Sequence, residues 1–224
     1  MRERVRMTIG DLLDRAASRF PDREALIDLP AGTRYSYREL RRTADDLAGG
    51  LLKLGIEAGE HLALWTPNRA EYIITEYGAA KIGAVLVSVD ANARAEQLEY
   101  LLRQSDSRTL VLWGQEGGHQ FDTLLRLCTA IGEAGTGPQV CPSLPELKRI
   151  ILIAGRPRPG MLLWEDVRES GRDFPPARLA ERQARCRPDD VATLLYTSGT
   201  TGAPKGVMST HLGIINTTLA SAEN

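Results

Sequence analysis

The sequence has few cysteines and histidines, and their arrangement excludes several classes of protein. Its three cysteines, Cys128, Cys141 and Cys186, are an odd number with no C-x-x-C spacing. We therefore exclude a disulfide scaffold and expect reduced, partly buried thiols. The three histidines lie far apart and form no H-x-x-x-H or Cys/His cluster, so no metal site made by protein ligands is predicted.

Long hydrophobic runs are also missing. No apolar run approaches the ~18 residues of a membrane span, and the basic start Met1–Arg6 leads into no apolar segment, which argues against a signal peptide. The 28 basic and 29 acidic residues nearly balance, so no strong field favours nucleic acid as a partner. We therefore expect a cytoplasmic protein, with peripheral association with a membrane as the alternative; the sequence predicts no particular oligomeric state.

What the sequence does contain indicates an α/β fold. With 224 residues, 42% of them hydrophobic, the chain is long enough for about one and a half domains and a full core. Apolar strands alternate with amphipathic helices, and the strands are continuous apolar runs, which is typical of a parallel sheet covered by helices on both faces. Thr8 with Asp11, and Ser36 with Glu39, have the spacing of capping boxes, and Asn68 is predicted to cap a third helix.

The second half of the chain changes in composition. Eight of the 12 prolines lie in residues 138–188, which we interpret as mostly surface connection with a subdomain boundary near residues 175–190. An apolar segment, Val191–Tyr196, is then predicted as a buried strand. The final helix is predicted to bury one stripe of side chains: Ile214, Ile215, Thr218 and Leu219.

A segment rich in glycine and hydroxyl groups follows this strand and suits a polyphosphate. Gly199 and Gly202 allow the backbone to approach an anion with its N–H groups turned inward, and the serine and threonine hydroxyls add donors. Lys205, one of only four lysines, adds a compact positive charge. The segment is not a Walker A motif, which needs G-x-x-x-x-G-K-[ST], and the alternative from composition alone is a flexible linker. The candidate phosphate-binding residues are Thr197, Ser198, Gly199, Thr200, Thr201, Gly202 and Lys205.

The stretch Tyr196–Val207, YTSGTTGAPKGV, resembles the signature of the adenylate-forming (AMP-binding) enzymes, which include acyl-CoA synthetases, luciferases and peptide-synthetase adenylation domains. Three upstream segments are similar to parts of the same family, and the last of them to fatty acyl-CoA synthetases in particular. They are Tyr35–Leu40, Ala80–Val87 and Gln97–Asp106. The resemblance therefore covers nearly the whole chain.

The resemblance implies a fold and a domain organisation. It implies the N-terminal part of the large domain of an adenylate-forming enzyme, a mostly parallel sheet flanked by helices that is incomplete in this chain. Residues 1–187 would form the N-terminal subdomain, and residues 188–224 would begin the next subdomain and carry the phosphate loop. The C-terminal half and the lid domain would be absent.

The resemblance also implies the chemistry. A carboxylate attacks the α-phosphate of Mg-ATP to give an acyl-adenylate and pyrophosphate, and the thiol of coenzyme A then displaces AMP. Mg²⁺ would be held mainly through the phosphates and by residues outside this chain, and Lys205 would offset charge on the departing pyrophosphate. His211 either lies near the substrate or is a polar residue in the first turn of a helix after a Thr210 cap, and we favour the second interpretation.

Two hypotheses about activity remain open. The first is an acyl-CoA synthetase for medium- or long-chain fatty acids, or for aryl acids as the alternative, represented by its N-terminal part. Ala93 and Leu212–Gly213 depart from the fatty-acid subgroup and leave the acyl preference open. The second is a truncated, non-catalytic chain that binds ATP or pyrophosphate. Because the family's adenine-, ribose- and metal-binding motifs lie downstream of the phosphate loop, we expect the chain alone to be inactive.

Overall fold

The computed structural model describes residues 4–128, 141–197 and 204–222. The helices of this part of the chain are α1 (Ile9–Arg19), α2 (Tyr37–Lys53), α3 (Ala70–Ile82), α4 (Ala95–Gln104), α5 (His119–Leu127), α6 (Trp164–Ser170), α7 (Pro176–Gln183) and α8 (His211–Ala222). The strands are β1 (Glu24–Asp28), β2 (Thr33–Ser36), β3 (His61–Trp65), β4 (Val85–Ser88), β5 (Thr109–Leu112), β6 (Arg149–Leu152), β7 (Leu162–Leu163), β8 (Val191–Thr197) and β9 (Lys205–Thr210). None of the helices in these ranges is long and apolar enough to cross a membrane.

Seven of the strands form one sheet in the order β7-β6-β5-β3-β4-β8-β9, and β1 and β2 form a separate antiparallel hairpin. Every pair in the large sheet is parallel except β8 with β9. Side chains alternate across the sheet: Leu62 and Leu64 of β3 join the core under α2, α3 and α6, whereas Ala63 and Trp65 join the core under α4 and α5. The predicted mostly parallel sheet flanked by helices is therefore confirmed.

Both predicted capping boxes are present. The Thr8 hydroxyl accepts a hydrogen bond from the Asp11 N–H at 3.1 Å, and the Asp11 carboxylate accepts one from the Thr8 N–H at 3.1 Å. Ser36 and Glu39 make the same reciprocal pair at the start of α2. Each pair satisfies backbone N–H groups that have no partner within the helix, which is why these two helix starts could be predicted from local sequence.

The predicted cap of α3 was wrong. The residue before the helix is Arg69, which makes no side-chain capping bond. The cap comes instead from Asp28 at the end of β1, whose buried carboxylate accepts a hydrogen bond from the Ala70 N–H at 2.9 Å. Burial alone would raise the pKa of Asp28, but its bonds from the Ala70 and Ala31 N–H groups and the charge of Arg69 outweigh that and hold the pKa below its ordinary value.

Residues 138–188 hold more regular structure than the prolines indicate. Besides the predicted β6, the described part of this segment contains β7, α6 and α7, so it is not connection alone. That it is mostly surface connection stays a prediction. Helix α6 packs closely against α2 because glycines lie at the contact. A Cβ atom on Gly50 would lie 1.9 Å from the Val167 carbonyl oxygen, and one on Gly171 would lie 1.8 Å from that of Asp46.

The cysteine prediction was wrong for two of the three residues. Cys128, just after α5, and Cys141, ahead of β6, form a disulfide with a Cα–Cα distance of 4.9 Å. Both are buried in the core under α4 and α5, so the chain returns to the same place after 13 residues. The spacing of the cysteines in the sequence does not predict that these two residues meet. Cys186 is a free, half-buried thiol as expected, and burial raises its pKa.

Lys81 is a buried charge that ties four helices together. Its side chain, in α3, is only 2% exposed, and its Nζ lies 2.6 Å from the Asp14 carboxylate of α1 and 2.8 Å from the Asp45 carboxylate of α2. The Gln183 side chain of α7 accepts a third contact at 3.3 Å. A buried ammonium is tolerated only with such partners.

The division of the chain at residue 187 stays a prediction. Strand β8 pairs in parallel with β4, so residues 191–197 extend the same sheet as the strands before them. At the end of the described chain, Ile215 of α8 is buried and Ile214 half-buried, as predicted. Thr218 and Leu219 are exposed, so the predicted buried stripe is wrong for these two residues.

Candidate functional site

Two of the predicted phosphate-binding residues lie opposite each other at the end of a hairpin. Thr197 is the last residue of β8 and Lys205 is the first of β9, and the two are cross-strand partners. Lys205 is exposed. The other candidates, Ser198, Gly199, Thr200, Thr201 and Gly202, lie outside the described residues. The described part of the site is therefore the pair of strand ends that the glycine-rich segment connects.

The position of these strand ends in the sheet suits a binding site. Thr197 is at the carboxyl end of β8, which runs parallel to β4. In open α/β sheets, ligands bind beyond the carboxyl ends of the parallel strands. The apolar residues Val207 and Met208 after the segment belong to β9. The two strands on either side of the glycine-rich segment are thus paired with each other.

Helix α4 contacts both strand ends. The Tyr100 hydroxyl donates a hydrogen bond to the Pro204 carbonyl oxygen at 2.9 Å, just before Lys205. The Tyr196 hydroxyl, next to Thr197, donates one to the Gln104 side-chain oxygen. Our sequence reasoning did not assign these two α4 residues to the site. The available signal was that both lie in the segment Gln97–Asp106, which resembles the family.

A cavity of about 330 Å³ lies beside the strand ends. Thr197 and Pro204 line one part of it, and Asp90, Asn92 and Gln97 line another. The Asp90 side chain already accepts a hydrogen bond from the Asn92 N–H at 2.7 Å, and its backbone oxygen accepts one from the Trp65 indole at 2.8 Å. The cavity is therefore a partly polar space with an ordered wall, directly next to the predicted phosphate loop.

His211 lies at the other end of β9. Five residue steps separate Lys205 from Thr210, or about 17 Å along a strand at ~3.3 Å per residue. The His211 ring is buried, its Nδ1 accepts a hydrogen bond from the Ile9 N–H at 3.2 Å, and burial lowers its pKa. Thr210 accepts a bond from the Gly213 N–H at 3.1 Å, as expected of a cap. The described residues therefore give His211 a packing role and do not bring it to the phosphate end of the hairpin.

Within the described ranges, no group of three or more His, Cys, Asp or Glu side chains is arranged to hold a metal ion.

Comparisons with known proteins match nearly the whole chain. The family model described as "AMP-binding enzyme" matches residues 13–224. A Bacillus subtilis (strain 168) protein named "Putative acyl-CoA synthetase YngI" is 38% identical over 224 residues, which are 100% of this chain and 41% of that protein. The Mus musculus protein "Medium-chain acyl-CoA ligase ACSF2, mitochondrial" is 35% identical over 217 residues, 96% of this chain and 35% of that protein.

A solved structure shows the same similarity in three dimensions. The anthranilate CoA ligase AuaEII, solved in complex with anthranoyl-AMP, matches with a TM-score of 0.75 and 26% identity, over 92% of this chain and 35% of that one. The chain thus spans about two fifths or less of the length of each of these three proteins.

Proposed function

The chain belongs to the AMP-binding enzyme family, and we propose that it supplies the phosphate-binding hairpin of an enzyme that activates a carboxylic acid with ATP. The observation that carries the proposal is the pairing of Thr197 with Lys205 at the carboxyl end of β8. This pairing places both ends of a segment rich in glycine, serine and threonine where α/β sheets bind ligands. The relatives named as acyl-CoA synthetases and ligases support the reaction class.

The residues of the hairpin have distinct proposed roles. Thr197, Ser198, Gly199, Thr200, Thr201 and Gly202 would bind the β- and γ-phosphates through hydroxyl and backbone N–H groups. Lys205 would neutralise charge that develops on pyrophosphate as a carboxylate attacks the α-phosphate, and stabilisation of this kind is a large part of catalysis in such transfers. The acyl-adenylate then passes its acyl group to the thiol of coenzyme A, with release of AMP.

Mg²⁺ fits this site only as a partner of the phosphates. The described residues offer no cluster of acidic or histidine ligands, whereas a cation bound to ATP needs few protein ligands of its own. Mg²⁺ bound in this way would neutralise part of the phosphate charge, and Lys205 would neutralise more of it.

We propose a medium- or long-chain fatty acid as the substrate. The supporting observation is that the two relatives at 38% and 35% identity are named for acyl substrates, and one of them for medium-chain acids. An aryl acid is the alternative, supported by the anthranilate ligase at 26% identity. A second candidate function is a non-catalytic chain that only binds nucleotide or pyrophosphate.

Acid-dependent exchange of labelled pyrophosphate into ATP tests the proposal. The assay uses a chimaera in which this chain replaces the matching 41% of the Bacillus subtilis protein. We expect exchange with fatty acids of one length range, about a 100-fold loss in Lys205→Ala, and no loss in Lys148→Ala, which removes another exposed lysine. Equal rates in the two variants would contradict the role of Lys205. A folded chimaera that is inactive with every acid, combined with pyrophosphate binding by the chain alone, would favour the non-catalytic alternative.

A further inference from the structure

Helix α4 holds both ends of the hairpin with two side chains from one face. Tyr100 and Gln104 are four residues apart and so project from the same side of the helix. Tyr100 reaches the Pro204 carbonyl oxygen at 2.9 Å, and Gln104 accepts a bond from the Tyr196 hydroxyl. These two contacts span 104 and 92 residues of sequence and meet the chain on either side of the glycine-rich segment.

Among the residues that the structure describes, β9 is at the edge of the sheet and has β8 as its one strand partner. Its residues Lys205–Met208 are exposed. Pro204 has no N–H group, so its carbonyl oxygen is the one backbone atom through which a hydrogen bond can hold it. Tyr100 supplies that bond, and its ring packs against the core under α4 and α5, which fixes the position of its hydroxyl.

We propose that Tyr100 and Gln104 are positioning residues for the phosphate-binding hairpin. Tyr100 holds Pro204, the residue before Lys205, and Gln104 holds Tyr196, the residue before Thr197. The distance between Lys205 and Thr197 at the two strand ends would thereby stay fixed. The inference rests on the proposed function, because the distance between Lys205 and Thr197 matters for binding phosphate. Neither residue would touch the reacting atoms. Their effect would pass through the backbone at the two strand ends.

Amide hydrogen exchange, read by NMR on the 224-residue chain, tests the positioning role without any ligand. In Tyr100→Phe we expect the Lys205 and Gly206 amides to exchange about five-fold faster, which is ~1 kcal/mol, the usual contribution of one hydrogen bond. Gln104→Ala should accelerate the Thr197 amide to a similar extent. Amides of the separate β1–β2 hairpin should be unchanged in both variants, since that hairpin can open locally without breaking either α4 contact.

A matched control separates local positioning from general stability. Tyr72→Phe also removes one tyrosine hydroxyl bond of 2.9 Å, to Ser88, but at helix α3. We expect it to leave exchange at Lys205 and Gly206 at the wild-type rate. The proposal is overturned if Tyr100→Phe does not accelerate these amides. It is also overturned if Tyr100→Phe accelerates the amides of the β1–β2 hairpin equally, since that result means a general structural role.

A titration with magnesium pyrophosphate then separates this inference from the proposed function. If wild-type chain binds pyrophosphate, Tyr100→Phe should bind it about five-fold more weakly, whereas Tyr72→Phe should bind it as tightly as the wild type. Unchanged affinity in Tyr100→Phe would overturn the positioning role. If wild-type chain does not bind pyrophosphate while the exchange result holds, the hairpin is positioned by α4 but the proposed function fails. The two failures therefore give different results.

Discussion

Replacing Lys81 with methionine should destabilise the chain by about 3 kcal/mol. The substitution keeps a side chain of similar length but removes the ammonium group that lies 2.6 Å from Asp14 and 2.8 Å from Asp45. Removing one partner from a buried ion pair usually costs about 3–5 kcal/mol, because the remaining charge is left uncompensated. The two carboxylates are 35% and 33% exposed and so keep part of their hydration, which places the expected loss at the lower end of that range.

The assay is unfolding by urea near neutral pH, with Lys53→Met as the matched control. Lys53 also pairs with a carboxylate, that of Asp173, but its side chain is 38% exposed, so we expect a loss below about 1 kcal/mol. A loss of less than about 1 kcal/mol in Lys81→Met as well would refute the reasoning, since it would mean that the two half-buried carboxylates need no counter-charge.

The pH dependence of the Lys81 variant gives a second check. Burial raises the pKa of Asp45, while the charge of Lys81 lowers it. Without Lys81, the folded-state pKa of Asp45 rises further above its unfolded value. The destabilisation caused by Lys81→Met should therefore reach its full size at pH values above that folded-state pKa. The destabilisation should shrink as the pH falls through the folded-state pKa, because the carboxyl group of Asp45 then becomes neutral. A loss that is the same at about pH 7 and about pH 4 would contradict this account.

Two further substitutions test other parts of the fold. Asp28→Asn should cost about 1–2 kcal/mol by weakening the cap of α3. The pKa of Asp28 is lowered in the folded chain, so the stabilisation from its carboxylate should be complete above the unfolded-state pKa. This stabilisation should disappear as the pH falls through the folded-state pKa. Measuring the free energy of unfolding as a function of pH checks this. Cys141→Ser should lower the free energy of unfolding by about 3 kcal/mol, because it removes the disulfide with Cys128, which links two residues 13 positions apart. Adding a reductant should lower the stability of the wild type to that of the variant and leave the stability of the variant unchanged. If the reductant does not change the stability of the wild type, the disulfide does not contribute to it.

Local sequence was sufficient where a structure depends on neighbours in the chain. The capping boxes at Thr8 and Ser36 could be predicted because both partners lie three residues apart. The parallel strands could be predicted because β3 to β6 are continuous apolar runs, which only a sheet covered on both faces accommodates. Strand β8, ahead of the glycine-rich segment, could be predicted from the apolar run Val191–Tyr196, whereas its antiparallel pairing with β9 was not predicted.

The sequence was insufficient where distant segments meet. Asp28 caps α3 from 42 residues away, and Asn68 was the wrong choice because only nearby residues were compared. The pairing of Cys128 with Cys141 depends on the path of the chain between them. Tyr100 could not be assigned to the site because its partner, Pro204, is 104 residues later. Contacts of this kind depend on how the sheet and helices pack together, and local sequence patterns do not predict that packing.

The most direct test of the central claim is whether the hairpin binds the phosphates that it is proposed to bind. Magnesium pyrophosphate is titrated into the 224-residue chain and followed by phosphorus NMR, in the wild type, in Lys205→Ala and in Lys148→Ala. We predict saturable binding by the wild type and by Lys148→Ala. Binding by Lys205→Ala should be about 10- to 100-fold weaker, since a charge-assisted hydrogen bond contributes about 1.5–3 kcal/mol. Equal affinity in all three proteins, or no binding by the wild type, would contradict the assignment of this hairpin as a phosphate site.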